Sequence, residues 1–177
     1  LIMGGAQVVS TTIVAPLGAI SIAANSFAVT AESLCYMPGY GIQSAAVTLI
    51  GQCDGAKRQA LTRTLGWLTT ICGIVVMSAA GVLMYIFAPQ MIGILTPNKV
   101  IRDLGTEVLR IEAFAEPMFG ASIVAGGVFR GTGDTLSSMI RNIISMWGVR
   151  IPMAAVLSGR LGLRGVWIAM CTELIIR

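Results

Sequence analysis

The sequence predicts an all-α integral membrane protein, a bundle of about six transmembrane helices. Three observations predict it. Charged residues are 11% of the 177-residue chain and hydrophobic residues 55%, where an ordinary soluble domain carries roughly 25% charge. The charges are clustered, with none in residues 1–31 or 64–98. The apolar runs are long and continuous, and Leu68 to Ala88 alone matches the about 20 residues that a helix needs to cross hydrocarbon. A spanning β-barrel would show short segments of alternating polarity instead. A helix satisfies its own backbone polar groups where water is absent.

The elements follow in order. A first apolar segment covers about Leu1 to Ala19 and a second about Ile22 to Ile50, long enough to tilt or break at Pro38-Gly39. The third covers about Leu61 to Ala88, the fourth Thr106 to Phe129 and the fifth Leu136 to Leu157; the sixth begins near Leu163. Short connectors rich in turn formers separate them at Gly51–Arg58, Pro89–Asp103, Gly131–Asp134 and Ser158–Arg164. No linker divides the chain, so one membrane domain is expected over residues 1–177. Leu1 stands inside an apolar run and Arg177 follows one that has just begun, so truncation at both ends is expected. Lys57, Arg58, Arg63, Arg130, Arg141 and Arg177 fall on one side of such a bundle, against Lys99, Arg102, Arg160 and Arg164 on the other. That asymmetry favours the first side as cytoplasmic. Small residues recur inside the segments, at Gly4-Gly5, Gly73, Ala79-Ala80-Gly81, Gly120 and Gly126-Gly127. In lipid, where little hydrophobic force acts between helices, such residues let backbones pack closely.

An ionisable residue inside the bilayer costs about 2.5–3.5 kcal/mol on insertion scales and so asks for a role. Glu32 stands in the second segment, and Glu112 and Glu116 in the fourth, four residues apart on one helix face. They are candidates for coupling a cation or proton, Glu116 first. For Glu112 the competing reading is snorkelling to the headgroups near a helix end. Pro117 should kink the fourth helix, and broken helices line cavities in transporters. Glu107–Arg110 is a candidate pair, and Arg150 either pairs with an acid or snorkels at a helix end. Tyr36, Phe114, Phe119 and Trp147 are candidates to line a cavity for flat organic cations.

The segment Gly51-Gln52-Cys53-Asp54-Gly55 reads as a tight turn in which Asp54 caps the next helix. Arg130-Gly131-Thr132-Gly133-Asp134 reads the same way, with Asp134 as N-cap. A phosphate loop would need a preceding strand, which is lacking. The chain has no His, and Cys35, Cys53, Cys72 and Cys171 lack metal-ligand spacing. No metal site, nucleophile–base pair, enzyme activity, cofactor or nucleic-acid partner is expected.

Taken together, Leu17-Gly18, Ile22-Ala23-Ala24-Asn25, Met37-Pro38, Leu49-Ile50-Gly51-Gln52 and Gly55-Ala56 resemble the multidrug and toxic compound extrusion (MATE) family. So do GGVFRGTGDT (Gly126 to Thr135), Met146-Trp147, Arg150-Ile151-Pro152 and Gly165-Val166-Trp167-Ile168-Ala169. The resemblance covers nearly the whole chain. It implies one lobe, the C-terminal one, of a two-lobe transporter whose N-terminal lobe is missing. It implies a multi-pass protein of the plasma membrane that exports cationic, amphipathic drugs or metabolites in exchange for Na⁺ or H⁺. Some bacterial members carry carboxylates at places corresponding here to Met3 and Phe119, so this chain departs from that pattern. The alternatives are a related flippase of lipid-linked saccharides, whose cavity would need basic residues such as Arg110 and Arg150, and a fragment inactive in transport. The isolated lobe is expected to transport nothing without its partner lobe.

Overall fold

The computed structural model describes Val9 and residues 11–176. Residues 1–8 and 10 of the first expected segment, Met3 and Gly4-Gly5 among them, lie outside the described residues, as does Arg177. After a 3₁₀ turn at Ala15–Leu17 come seven helices: α1 Ala19–Gly55, α2 Gln59–Leu95, α3 Lys99–Ala113, α4 Glu116–Gly131, α5 Thr135–Ser145, α6 Ile151–Leu161 and α7 Leu163–Ile176. A π-helical stretch, Met146–Arg150, joins α5 to α6 without a break. The described residues contain no strand.

The prolines act unequally. Pro38 lies inside α1 and Pro89 inside α2, and neither ends its helix. The break considered at Pro38-Gly39 is absent, and the connector expected over Pro89–Asp103 shrinks to residues 96–98. A proline removes one hydrogen bond from a long ladder, and packed neighbours can hold the rod straight through that loss. Asn98 starts α3, its Oδ1 accepting the Val100 N–H at 3.0 Å. Pro117 does interrupt the expected fourth segment, which divides into α3 and α4 at Phe114-Ala115. The connector expected over Ser158–Arg164 reduces to Gly162, whose φ of 61° suits a residue without Cβ.

Helices α1, α2 and α4 pack most heavily on one another, and glycine makes this crossing possible. A Cβ on Gly73 would stand 2.6 Å from Val124, and one on Gly120 2.6 Å from Met77. A Cβ on Gly127 would meet the Gln43 carbonyl oxygen at 2.9 Å. Gln43 reinforces the contact, its Nε2 donating to the Ile123 carbonyl at 2.7 Å. A second packed layer sets α3 against α1 and α2, with the α6–α7 hairpin packed on α3 through α7. Its buried members include Ala28, Met84, Ile92, Leu109 and Trp167. The Trp167 indole donates to Asn25 Oδ1 at 3.0 Å, tying α7 to α1.

The outer face of α2 stays apolar and exposed, with Leu68, Ile71, Val75, Leu83 and Ile86 uncovered. A contiguous apolar face of this kind calls for a nonaqueous neighbour. Among the described residues α2 is the one helix whose length and hydropathy alone suffice to cross a membrane. The turn after α1 and the turn after α4 lie at one end of the lobe, where Gly51 faces the Gly131 carbonyl. This groups Lys57, Arg58 and Arg63 with Arg130 and Arg141. At the other end Glu107 pairs with Arg164 at 2.5 Å, not with Arg110 as its spacing proposed.

Gly127→Ala in the complete protein should lower stability by about 1–3 kcal/mol, because the new methyl collides with backbone. Gly159→Ala, with open space around it, should leave stability unchanged or raise it. Thermal melting in detergent compares the two, and an unchanged Gly127→Ala midpoint would refute the close crossing.

Candidate functional site

Three of the acids picked out by their apolar surroundings converge. Glu32 comes from the middle of α1, Glu112 from the last turn of α3 and Glu116 from the first position of α4. The break before Pro117 turns the chain so that Glu112 and Glu116 sit on either side of it. Both are fully buried. Glu112 Oε2 accepts a hydrogen bond from Cys171 Sγ at 3.2 Å, and its Oε1 has no partner. Neither carboxyl oxygen of Glu116 has a partner. Glu112 therefore does not snorkel; α3 carries it inward beneath α7. A buried polar group without partners is costly, and its persistence points to a ligand or proton that completes it.

Glu32 differs in being 8% exposed, and it opens onto a cavity of about 540 Å³ between α1, α4, α5 and α7. The cavity runs from the α4–α5 turn down to Glu32, with Tyr36, Phe119, Arg150 and Glu173 on its walls. Tyr36 meets Phe119 edge-on, ring centroids 6.0 Å apart, and Tyr40 edge-on at 5.3 Å. Arg150 issues from the π-helical stretch and its charge acts on both Glu32 and Glu112. The helix continues through Arg150, so this residue does not snorkel at a helix end. Its Nη2 also contacts Met170 Sδ at 3.0 Å.

Two aromatic candidates do not join the cavity. Phe114 is 77% exposed on the outer face, where it meets Tyr85 edge-on at 5.8 Å. Arg110 covers that same Tyr85 ring at 5.2 Å, away from the cavity. Trp147 is exposed and is not among the lining residues. Their segment assignments are sound; the helix phase turns both outward. Conversely, Arg130 and Arg141 reach the cavity mouth. Arg130 Nε donates to the Gly126 carbonyl at 3.2 Å and Arg141 lies 4.7 Å over the Phe129 ring.

Glu173 is not among the sequence candidates, although an acid in the apolar run of α7 carries the same signal as Glu32. It is 1% exposed, and Ser145 Oγ donates to its Oε1 at 2.6 Å. Gln43 carries no signal beyond being polar and Asn25 none beyond its place in the Ile22-Ala23-Ala24-Asn25 motif, since their partners are backbone and indole groups distant in sequence.

The two glycine-rich turns form a joint and not a ligand cradle. Gly131 presses on Ile50, and Gly51, inside α1, faces the Gly131 carbonyl. The Gln52 carbonyl accepts the Ala56 N–H at 3.1 Å just after α1 ends at Gly55. Gly133 supplies a φ of 83°, and Asp134 caps α5 by accepting the Ser137 N–H at 3.1 Å. Asp54 does not cap α2: it lies within α1, and α2 starts after Arg58 without a side-chain cap.

The MatE family model matches residues 1–156. A probable multidrug resistance protein NorM of Thermotoga maritima is 30% identical over 165 residues, which cover 90% of this chain and 35% of that relative. Its counterpart in Brucella suis biovar 1 is 28% identical over 165 residues, 89% of this chain and 35% of the relative. The chain thus spans about a third of the length of these curated relatives. Among solved structures, an inward-facing multidrug resistance MATE family transporter of the MOP superfamily superposes with a TM-score of 0.90 at 21% identity, over 99% of this chain and 41% of that one. A MOP superfamily transporter from Pyrococcus furiosus does so with a TM-score of 0.91 at 15% identity, over 99% and 39%.

The hydrogen bonds from Ser137 hold the Asp134 carboxyl below the usual carboxylate range. A lowered native value means that the cap stabilises fully at neutral pH and is lost as pH falls through that value. Amide exchange in the first turn of α5 should therefore accelerate on acidification. Asp134→Asn, which caps without ionising, should flatten that dependence; an equally steep profile would remove the role from Asp134.

Proposed function

The chain belongs to the MatE family, and from that premise we propose that it forms one lobe of a secondary antiporter. In this reading the complete protein sits in the plasma membrane and exports cationic amphipathic compounds in exchange for Na⁺ or H⁺. The observation that carries it is the buried acid cluster beside the cavity: Glu116 with two unpartnered oxygens, Glu112 with one, and Glu32 at the cavity wall. The similarity to probable multidrug resistance proteins supports the substrate class.

The geometry supports the following mechanism. A carboxyl removed from water favours any cation that can reach it. Glu32 receives the cation from the cavity, while Tyr36 and Phe119 present ring surfaces to a flat organic cation. Glu116 and Glu112 stand behind Glu32 and take up a small ion or proton too deep for a drug-sized molecule. Arg150 neutralises part of the negative charge, so that the cluster holds one extra cation well and two badly. Mutually exclusive occupancy is what makes exchange obligatory, since each cation weakens the site for the other by the same factor. The partner lobe closes the open side of the cavity, and rocking of the two lobes exposes it alternately to either face.

Fluorescent-cation efflux from proteoliposomes holding the complete transporter, under an imposed Na⁺ or H⁺ gradient, tests this. Glu116→Gln should abolish gradient-driven efflux while leaving cation binding within a few-fold of wild type. Glu32→Gln should weaken binding itself, by the roughly 1.5–3 kcal/mol typical of a charged partner. Efflux undiminished in both variants would remove the coupling site from this lobe, and no efflux under either gradient would overturn the antiport reading.

A further inference from the structure

A second depression, of about 890 Å³, opens on the outside of the lobe between the start of α2 and the end of α4. It is lined by a different face of α4 from the one at the polar cavity: Ala125, Val128 and Phe129 here, Ser122, Ile123 and Gly126 there. Its other wall is α2, through Arg63, Gly66, Trp67 and Thr70. Gly66 creates the depression, since the helices touch there through Val128 with no side chain of its own in the way. The floor is apolar, and Trp67, 68% exposed, stands along it.

Depth fixes what this groove meets. Helix α2 has 37 residues, about 55 Å at 1.5 Å each, against about 30 Å of hydrocarbon. Its surplus extends beyond the core at both ends. The uncharged run begins just after Arg63, which places Arg63 in the headgroup layer and Trp67 at the boundary where indoles settle. Arg63 has no carboxylate partner among the described residues. Lys57 and Arg58 stand at the same end, adding charge of the same sign. An apolar trough that starts in hydrocarbon and ends beneath an unpaired guanidinium complements a lipid with an acyl chain and an anionic headgroup.

We propose that this groove is a binding site for an anionic glycerophospholipid of the surrounding leaflet. One acyl chain lies against Val128, Phe129 and Trp67, and the phosphate is held by Arg63. The site is independent of the transport cycle proposed above and stands whichever ion drives it.

Trp67 provides the readout. The complete protein is placed in nanodiscs in which a fraction of the lipid is dibrominated phosphatidylglycerol or, separately, dibrominated phosphatidylcholine. Bromine quenches indole on contact, and subtracting the signal of Trp67→Phe isolates the groove. Phosphatidylglycerol should quench Trp67 about fivefold more effectively at low mole fraction, the preference worth one cation at an anionic headgroup. Arg63→Gln should equalise the two lipids and Arg63→Lys should keep most of the preference. Equal quenching in the wild type would overturn the proposal and leave bulk lipid in the groove. No quenching by either lipid would also overturn it, with protein covering the site. A preference that survives Arg63→Gln would remove the phosphate contact from Arg63. If Arg63→Gln fails to fold, the wild-type comparison of the two lipids still decides.

Discussion

The close crossing of α1, α2 and α4 is the constraint on which the rest of the lobe depends. Bilayer lipids are as apolar as the side chains, so these helices gain nothing from hiding leucine and must gain from contact. Gly73, Gly120 and Gly127 let the rods approach until backbone meets side chain. Everything polar in the lobe hangs on that approach. Gln43 reaches the Ile123 carbonyl only because α1 and α4 nearly touch. Glu116 is sealed because α4 starts against Gly81 of α2.

That seal explains why the acid cluster is both costly and stable in place. Glu112 and Glu116 are carried in by the same break that Pro117 imposes, so neither helix can withdraw one acid without disturbing the other. Arg150 enters from the π-helical stretch, and its charge acts on Glu32 and Glu112. The site is thus assembled from four separate helical elements. Its geometry is a property of the packed lobe and not of any one segment.

Much of this was legible in the sequence. The charge-free runs located the spanning segments because hydrocarbon tolerates so little charge, and Glu32, Glu112 and Glu116 stood out by the same rule. The Gly131–Asp134 turn was legible because each residue there has a local duty: close approach, positive φ, cap. Prolines do not mark boundaries uniformly, since Pro89 only removes a bond inside α2 while Pro117 stands at the start of a new helix; which happens depends on neighbours the sequence does not name. The outward turn of Phe114 and Trp147 was hidden for a related reason. Segment membership can be read from composition, but helix phase after a break depends on the break's geometry. Glu173 carries the same signal, but its Ser145 partner lies 28 positions away and is not legible from spacing.

The π-helical stretch has a consequence for how the α5–α6 rod should be counted. A π turn holds one more residue than an α turn, and one residue is about 100° of rotation. Positions before Met146 and after Arg150 therefore do not share a common helical wheel. A stripe traced from Ser138 at the usual periodicity points, beyond Arg150, to the wrong side of the rod. Removing a single residue from 146–150 would restore plain α periodicity along the rod and leave the face that α6 turns to α7 unchanged, whereas the same deletion inside α6 would turn everything beyond it by about 100°.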